Sequence, residues 1–168
     1  MKGTFPIDKF QEIQTPFYYY DTDLLRETLK TINTEVSKHE GFVVHYAIKA
    51  NANPKVLNVI CQAGLGADCV SGGEIQRCVE TGFPSNKIVY AGVGKSDWEI
   101  NLGLDKEIFC FNVESIPELE IINELAEKKG KVANVCFRIN PNVGAHTNAK
   151  IDLSYGLSAG CSSANRFG

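Results

Sequence analysis

The sequence predicts an α/β protein built on a parallel sheet. Five strand-like runs alternate with helix-like segments, and three of those helical segments open with a Ser-x-x-Glu capping sequence. Strands that alternate with helices pair in parallel through right-handed crossovers. They form either an open doubly wound sheet or a barrel, and the pattern alone leaves both arrangements open.

Composition narrows the class of protein further. The 168 residues are 43% hydrophobic and 22% charged, which is enough apolar material for one domain with a real core. The net charge of -3 argues against a nucleic-acid partner, because phosphate binding needs a basic surface. No apolar run approaches the roughly 20 residues of a membrane span, and the first residues lack a secretory signal. We therefore expect a cytoplasmic protein with no membrane association.

The six cysteines are scattered and include no Cys-x-x-Cys pair or zinc-type spacing. We expect most of them to be small, reduced core residues, with no metal site and no disulfide framework.

The first half of the chain predicts two helices and two strands. Asp21 is expected to cap a helix whose apolar positions recur at helical spacing and fade before Gly41. The first strand is predicted over residues 42–49. Pro54 opens a second helix that halts near Gly64, and a short strand follows over residues 67–70.

The rest of the chain repeats one helix-start signal three times. A serine is followed three residues later by a glutamate, the capping-box spacing, in Ser71 with Glu74, Ser96 with Glu99, and Ser115 with Glu118. Gly82 is expected to end the first of these helices, and the third should end before Gly130. Further strands are predicted over residues 88–91, 108–112 and 132–140.

The first strand carries the candidate catalytic residue, Lys49, at its carboxyl end. Strand side chains alternate between faces. One face carries Phe42, Val44, Tyr46 and Ile48, which should lie under helices. The other carries Val43, His45, Ala47 and Lys49, which suits the inside of a barrel rim better than a dry core. Parallel α/β proteins build their sites at the carboxyl ends of strands, which favours a catalytic role for Lys49.

Other charged residues fall near strand ends in the same way. Arg138 lies on the face of the fifth strand opposite its apolar residues, and Asp68 and Glu74 flank the end of the second strand. A lysine, an arginine and two carboxylates are thus expected at one mouth of the sheet. The alternatives are a solvated Lys49, an Arg138 held in a surface ion pair, and a Glu74 that only caps its helix.

Residues 94–96, Gly-Lys-Ser, copy the end of a P-loop. That motif also needs a glycine five positions earlier, where this chain has Val89. A nucleotide triphosphatase is therefore disfavoured.

Six segments occur together in an order that resembles one known family. They are residues 17–21 (FYYYD), 46–51 (YAIKAN), 66–68 (GAD), 71–74 (SGGE), 111–115 (FNVES) and 138–141 (RINP). This set resembles the fold type III, alanine-racemase-like decarboxylases that use pyridoxal phosphate, and within them the members that act on diaminopimelate. Several motifs in one order are far more specific than any one alone.

The resemblance implies a (β/α)8 barrel that carries pyridoxal 5'-phosphate on the amine of Lys49, with Asp68, Glu74 and Arg138 in the cofactor-binding network. It implies decarboxylation of a small amino-acid substrate, meso-2,6-diaminopimelate, to L-lysine, by a homodimer. Another amino-acid decarboxylase or a racemase, and a non-catalytic fragment that binds the cofactor or pairs with another subunit, remain alternatives.

Parts of the family pattern have no counterpart in this sequence. The family's glycine-rich phosphate loops, its later histidine and glutamate, and its C-terminal β-domain would all follow the fifth strand. The expected fold is thus a partial barrel of about five parallel strands, truncated before closure. Residues 1–20 would be an N-terminal segment, and residues 21–168 the first part of the barrel. We expect the isolated chain to have negligible decarboxylase activity.

Overall fold

A computed structural model describes residues 3–49 and 51–139, together with the backbone of residues 157–158. Five parallel strands follow one another across the sheet in chain order. They are β1 (His45–Ala47), β2 (Gly66–Cys69), β3 (Ile88–Tyr90), β4 (Cys110–Val113) and β5 (Val135–Ile139). A short β6 (Leu157–Ser158) pairs antiparallel with β5. A doubly wound sheet reverses its strand order at a switch point, so the uninterrupted order supports the barrel and not the doubly wound alternative.

Six helices precede or connect the parallel strands. They are α1 (Ile7–Phe10), α2 (Thr22–Val36), α3 (Pro54–Gln62), α4 (Gly72–Thr81), α5 (Asp97–Lys106) and α6 (Ile116–Lys128). A 3-10 turn over Ser85–Lys87 leads into β3. The sequence predicted each helix from α2 onward, with starts within a residue of those observed. The sheet is open among the described residues, as a partial barrel should be.

The main core lies between the sheet and the helices. Fully buried side chains from both layers meet there, including Leu57, Ile75, Tyr90, Ile100 and Phe111. A second, smaller buried cluster on the other face of the sheet joins Val89, Cys110 and Cys136. The strands therefore have two distinct faces, and we call the second one the interior face because it would line the barrel.

Local features explain where individual helices begin and end. The Asp21 carboxylate accepts hydrogen bonds from the backbone N–H groups of Asp23 and Leu24, which caps α2 as predicted. At the end of α4, Gly82 has a φ of 98°, a left-handed conformation that glycine adopts without steric cost.

The first strand is shorter than the predicted residues 42–49. Only His45–Ala47 pair with β2, while Phe42 and Val43 precede the strand and are 68% and 70% exposed. The prediction that Phe42 lies under the helices is wrong, because its ring instead approaches the His39 ring at 5.6 Å. Ile48 is 1% exposed within the helix-covered core, as the alternation predicted.

Four of the five described cysteines are buried, in agreement with their predicted core role, and Cys161 lies outside the described residues. Within residues 3–49 and 51–139 no group of three His, Cys, Asp or Glu side chains is arranged to hold a metal ion. None of the helices described is at once long and apolar enough to span a bilayer.

Candidate active site

Lys49 lies two residues after β1, in a tight turn at the carboxyl edge of the sheet. The Asn51 N–H donates to the Ile48 carbonyl at 3.0 Å, and the Ile48 N–H donates to the Asp68 carbonyl at 3.1 Å. Lys49 itself has a φ of 41°, which is rare for a residue other than glycine. Strained backbone of this kind persists only where the surroundings enforce it, and it is concentrated at functional sites. The side chain is exposed.

Asp68 lies on the interior face of β2, in register with Ala47 of β1. Its Oδ1 atom is buried and has no hydrogen-bond partner among the described residues. Burial raises the pKa of the Asp68 carboxyl, and the charges of His45, Lys49 and Arg138 oppose that increase. The charges of Lys49 and Arg138 are thus both close enough to act on the Asp68 carboxyl.

Glu74 is engaged with the loop between β2 and α4. Its Oε2 accepts a hydrogen bond from the Val70 N–H at 2.8 Å, and the Ser71 hydroxyl accepts one from the Glu74 N–H at 3.3 Å. Glu74 therefore has part of the capping role considered from the sequence. Its carboxylate accepts the N–H of Val70, which precedes the N-cap residue Ser71, and not the N–H of Ser71 itself. Glu74 thus fixes the backbone that follows Asp68.

Arg138 projects from β5 and pairs with Glu114, which follows β4. The Arg138 Nη1 donates to Glu114 Oε1 at 3.1 Å, and the two side chains are 29% and 13% exposed. This is a half-buried ion pair and not the surface pair considered from the sequence. The same Glu114 oxygen accepts a hydrogen bond from the Gly92 N–H at 3.1 Å, so it links the ends of β3, β4 and β5.

Lys95 is a buried charge whose role the sequence did not indicate. Its side chain is fully buried, and its Nζ donates to the carbonyls of Gly92 and Asn112, at 2.6 and 2.9 Å, and to Glu118 Oε1 at 2.5 Å. The ammonium group also lies 5.2 Å from the centre of the Tyr90 ring. The three hydrogen bonds use all three donors of the ammonium group.

The carboxylate of Glu99 ties two successive βα units together. It accepts hydrogen bonds from the Gly72 N–H at 2.7 Å and from the Ser96 N–H at 3.0 Å. Burial alone would raise the pKa of Glu99, but hydrogen bonds from Gly72, Ser96 and Tyr90 together lower it to about 2. We call Glu74, Glu99, Glu114 and Glu118 the rim carboxylates, since each accepts a backbone N–H beside a strand end.

Several residues singled out in the sequence lie outside the described residues. They are Ala50, Asn140 and Pro141 of the family-like motifs.

Comparison with known proteins gives consistent matches. The family described as "Pyridoxal-dependent decarboxylase, pyridoxal binding domain" matches residues 23–163. Diaminopimelate decarboxylase of Bacteroides thetaiotaomicron is 71% identical over 151 residues, covering 90% of this chain and 39% of that protein. The enzyme of the same name from Helicobacter pylori J99 is 43% identical, covering 84% of this chain and 35% of that protein.

Solved structures agree with the sequence matches. Helicobacter pylori diaminopimelate decarboxylase complexed with L-lysine superposes with a TM-score of 0.74 at 40% identity, covering 84% of this chain and 36% of that one. The enzyme from Methanocaldococcus jannaschii gives a TM-score of 0.77 at 38% identity, covering 90% of this chain and 37% of the other. The chain thus spans less than two fifths of the length of these relatives.

Proposed function

Because this chain belongs to the pyridoxal-binding domain family of pyridoxal-dependent decarboxylases, we propose that it supplies the lysine-bearing part of an enzyme that decarboxylates meso-diaminopimelate to L-lysine. Pyridoxal phosphate is the cofactor that this membership implies. The substrate assignment is supported by the shared name of the relatives that are 71% and 43% identical to this chain.

The residues at the carboxyl edge of the sheet fit that cofactor. The buried Asp68 Oδ1 atom has no hydrogen-bond partner in the part of the chain that the structure describes. This observation carries the proposal, because buried polar atoms normally have such a partner. An amine at Lys49 and a guanidinium at Arg138 act on the same carboxylate. Together these groups offer an amine for the cofactor aldehyde, a cation and a carboxylate oxygen. Bound there, pyridoxal phosphate supplies an electron sink for the pair left by the departing carboxylate.

Each residue then has a distinct part in the proposal. Lys49 binds the cofactor through its Nζ and is held at the edge of the sheet by its turn. Asp68 accepts or holds a proton at Oδ1 on the interior face, and Arg138 balances its charge. Glu74 contributes by fixing the loop after β2. By analogy with the family alone, we further propose that the whole protein is a cytoplasmic homodimer.

The proposal is tested by replacing Lys49 in the full-length protein that contains this chain. Lys49→Ala should abolish the visible absorbance of the lysine-bound cofactor and the mass increment left after borohydride reduction. Lys55→Ala is the matched control, because Lys55 is an exposed lysine six residues away at the start of α3. A reducible adduct that survives in Lys49→Ala would contradict the assignment of the cofactor-binding lysine.

The substrate is tested separately by carbon dioxide release. The full-length enzyme should release it from meso-diaminopimelate far faster than from lysine, ornithine or arginine. Equal release from any of these would refute the substrate assignment and leave the cofactor assignment intact. The purified 168-residue chain, assayed in parallel, should show negligible turnover.

A further inference from the structure

The ion pair between Glu114 and Arg138 joins two strand ends next to the candidate active site. Glu114 follows β4, whereas Arg138 is the fourth residue of β5. Their side chains are 13% and 29% exposed, so the contact is only partly screened by water. The pair is therefore better placed than an exposed one to restrict the arginine side chain.

Glu114 is itself held firmly on both sides. Its Oε1 atom accepts the Gly92 N–H at 3.1 Å, and its backbone N–H donates to Glu118 Oε2 at 3.0 Å. Glu118 is in turn fixed by the fully buried ammonium of Lys95. The Glu114 backbone is thus fixed by Glu118, and its carboxylate is fixed by the Gly92 N–H. The carboxylate therefore offers Arg138 one defined position.

Arg138 and Asp68 share the interior face of the sheet. Arg138 follows Cys136 of the interior cluster by two residues on β5, and Asp68 of β2 is in register with Val89 of the same cluster. We propose that Glu114 is a positioning residue that holds the Arg138 guanidinium on the interior face, which also carries Asp68, and thereby completes the cofactor site. This inference rests on the function proposed above and assigns Glu114 no contact with cofactor or substrate.

A double-mutant cycle on cofactor binding distinguishes a positioning role for Glu114 from a purely structural ion pair. Cofactor dissociation constants are measured for the full-length protein with Glu114→Gln, Arg138→Gln and both changes. Glutamine keeps an oxygen for the Gly92 N–H but removes the charge. If Glu114 acts through Arg138, Glu114→Gln should weaken cofactor binding about tenfold when Arg138 is present and less than about twofold when it is replaced.

Glu99→Gln is the matched control for this cycle. Glu99 holds the backbone N–H groups of Gly72 and Ser96 much as Glu114 holds that of Gly92. Its effect on cofactor binding should be the same with and without Arg138. Cofactor affinity unchanged in Glu114→Gln, or an equal loss in both backgrounds, would overturn the proposal.

A second measurement needs no bound cofactor. The titration of the Asp68 carboxyl, followed by carbon NMR in the apoprotein, reports on the cations around it, which are His45, Lys49 and Arg138. Glu114→Gln should raise the pKa of Asp68 only when Arg138 is present, because a displaced guanidinium no longer favours the charged carboxylate. An unchanged titration would refute the positioning role. Absence of a lysine-bound cofactor in the unmodified protein would instead refute the proposed function, so the two failures are distinguishable.

Discussion

Replacing Lys95 with methionine tests whether the buried ammonium holds the carboxyl edge of the sheet together. Methionine fills similar space but donates no hydrogen bonds. The change leaves the Glu118 carboxylate, 12% exposed, without its cation, and leaves the carbonyls of Gly92 and Asn112 without their donor. Removing one partner of a buried ion pair costs about 3–5 kcal/mol, because the other charge stays buried and uncompensated. We expect a loss of that size in the free energy of unfolding.

The assay is urea unfolding followed by circular dichroism, with the midpoint compared at constant slope. Lys128→Met is a matched control, because the Lys128–Glu124 pair has the same 2.5 Å separation but its side chains are 64% and 63% exposed. Lys128→Met should cost far less than Lys95→Met, because solvent screens an exposed ion pair. Adding Glu118→Gln to Lys95→Met should recover at least half of the loss, since it removes the stranded charge. Equal costs for the two lysines, or a simple sum in the double variant, would refute the reasoning.

Three further outcomes follow from the described contacts. Gly66→Ala should destabilise the protein by about 1–3 kcal/mol in the same urea assay. The reason is that a Cβ would overlap the His45 imidazole and lie 2.6 Å from the Lys87 carbonyl oxygen. An unchanged free energy of unfolding would contradict this close approach. Ser71→Ala should cost about 1 kcal/mol through loss of the α4 cap, and unchanged thermal unfolding would argue against that cap. The raised pKa of Asp68 means that the folded state binds its proton more tightly than the unfolded chain. Stability should therefore fall as pH rises from the ordinary value of 3.8 through the raised one, and Asp68→Asn should remove this loss; a pH-independent difference between the two proteins would refute it.

Local signals in the sequence predicted the order of the elements from α2 onward and the starts of helices α2 to α6. Asp21 and Ser71 cap helices through contacts only two or three residues along the chain, so the sequence pattern contains the whole interaction. Lys49, Asp68 and Arg138 were expected at one edge because parallel strands bring their carboxyl ends together, and the charges of Lys49 and Arg138 do act on the Asp68 carboxyl. Their roles at the cofactor remain a prediction.

Features set by neighbouring units were not foreseeable from local patterns. Lys95 bonds Asn112 and Glu118, 17 and 23 residues away, and nothing near Lys95 in the sequence indicates that it is buried. The length of β1 depends on its register with β2 and not on the alternation of its own residues, which is why the predicted strand over residues 42–49 was too long. The choice between a barrel and a doubly wound sheet likewise required the observed strand order.

The rim carboxylates have a consequence for exchanging parts between related proteins. Glu99 belongs to α5 but secures the start of α4, and Glu114 follows β4 but secures the turn after β3. A chimaera cut between two such strand–helix units would separate Glu99 from Gly72, or Glu114 from Gly92. Recombination should succeed more often when the crossover keeps two consecutive units from the same parent.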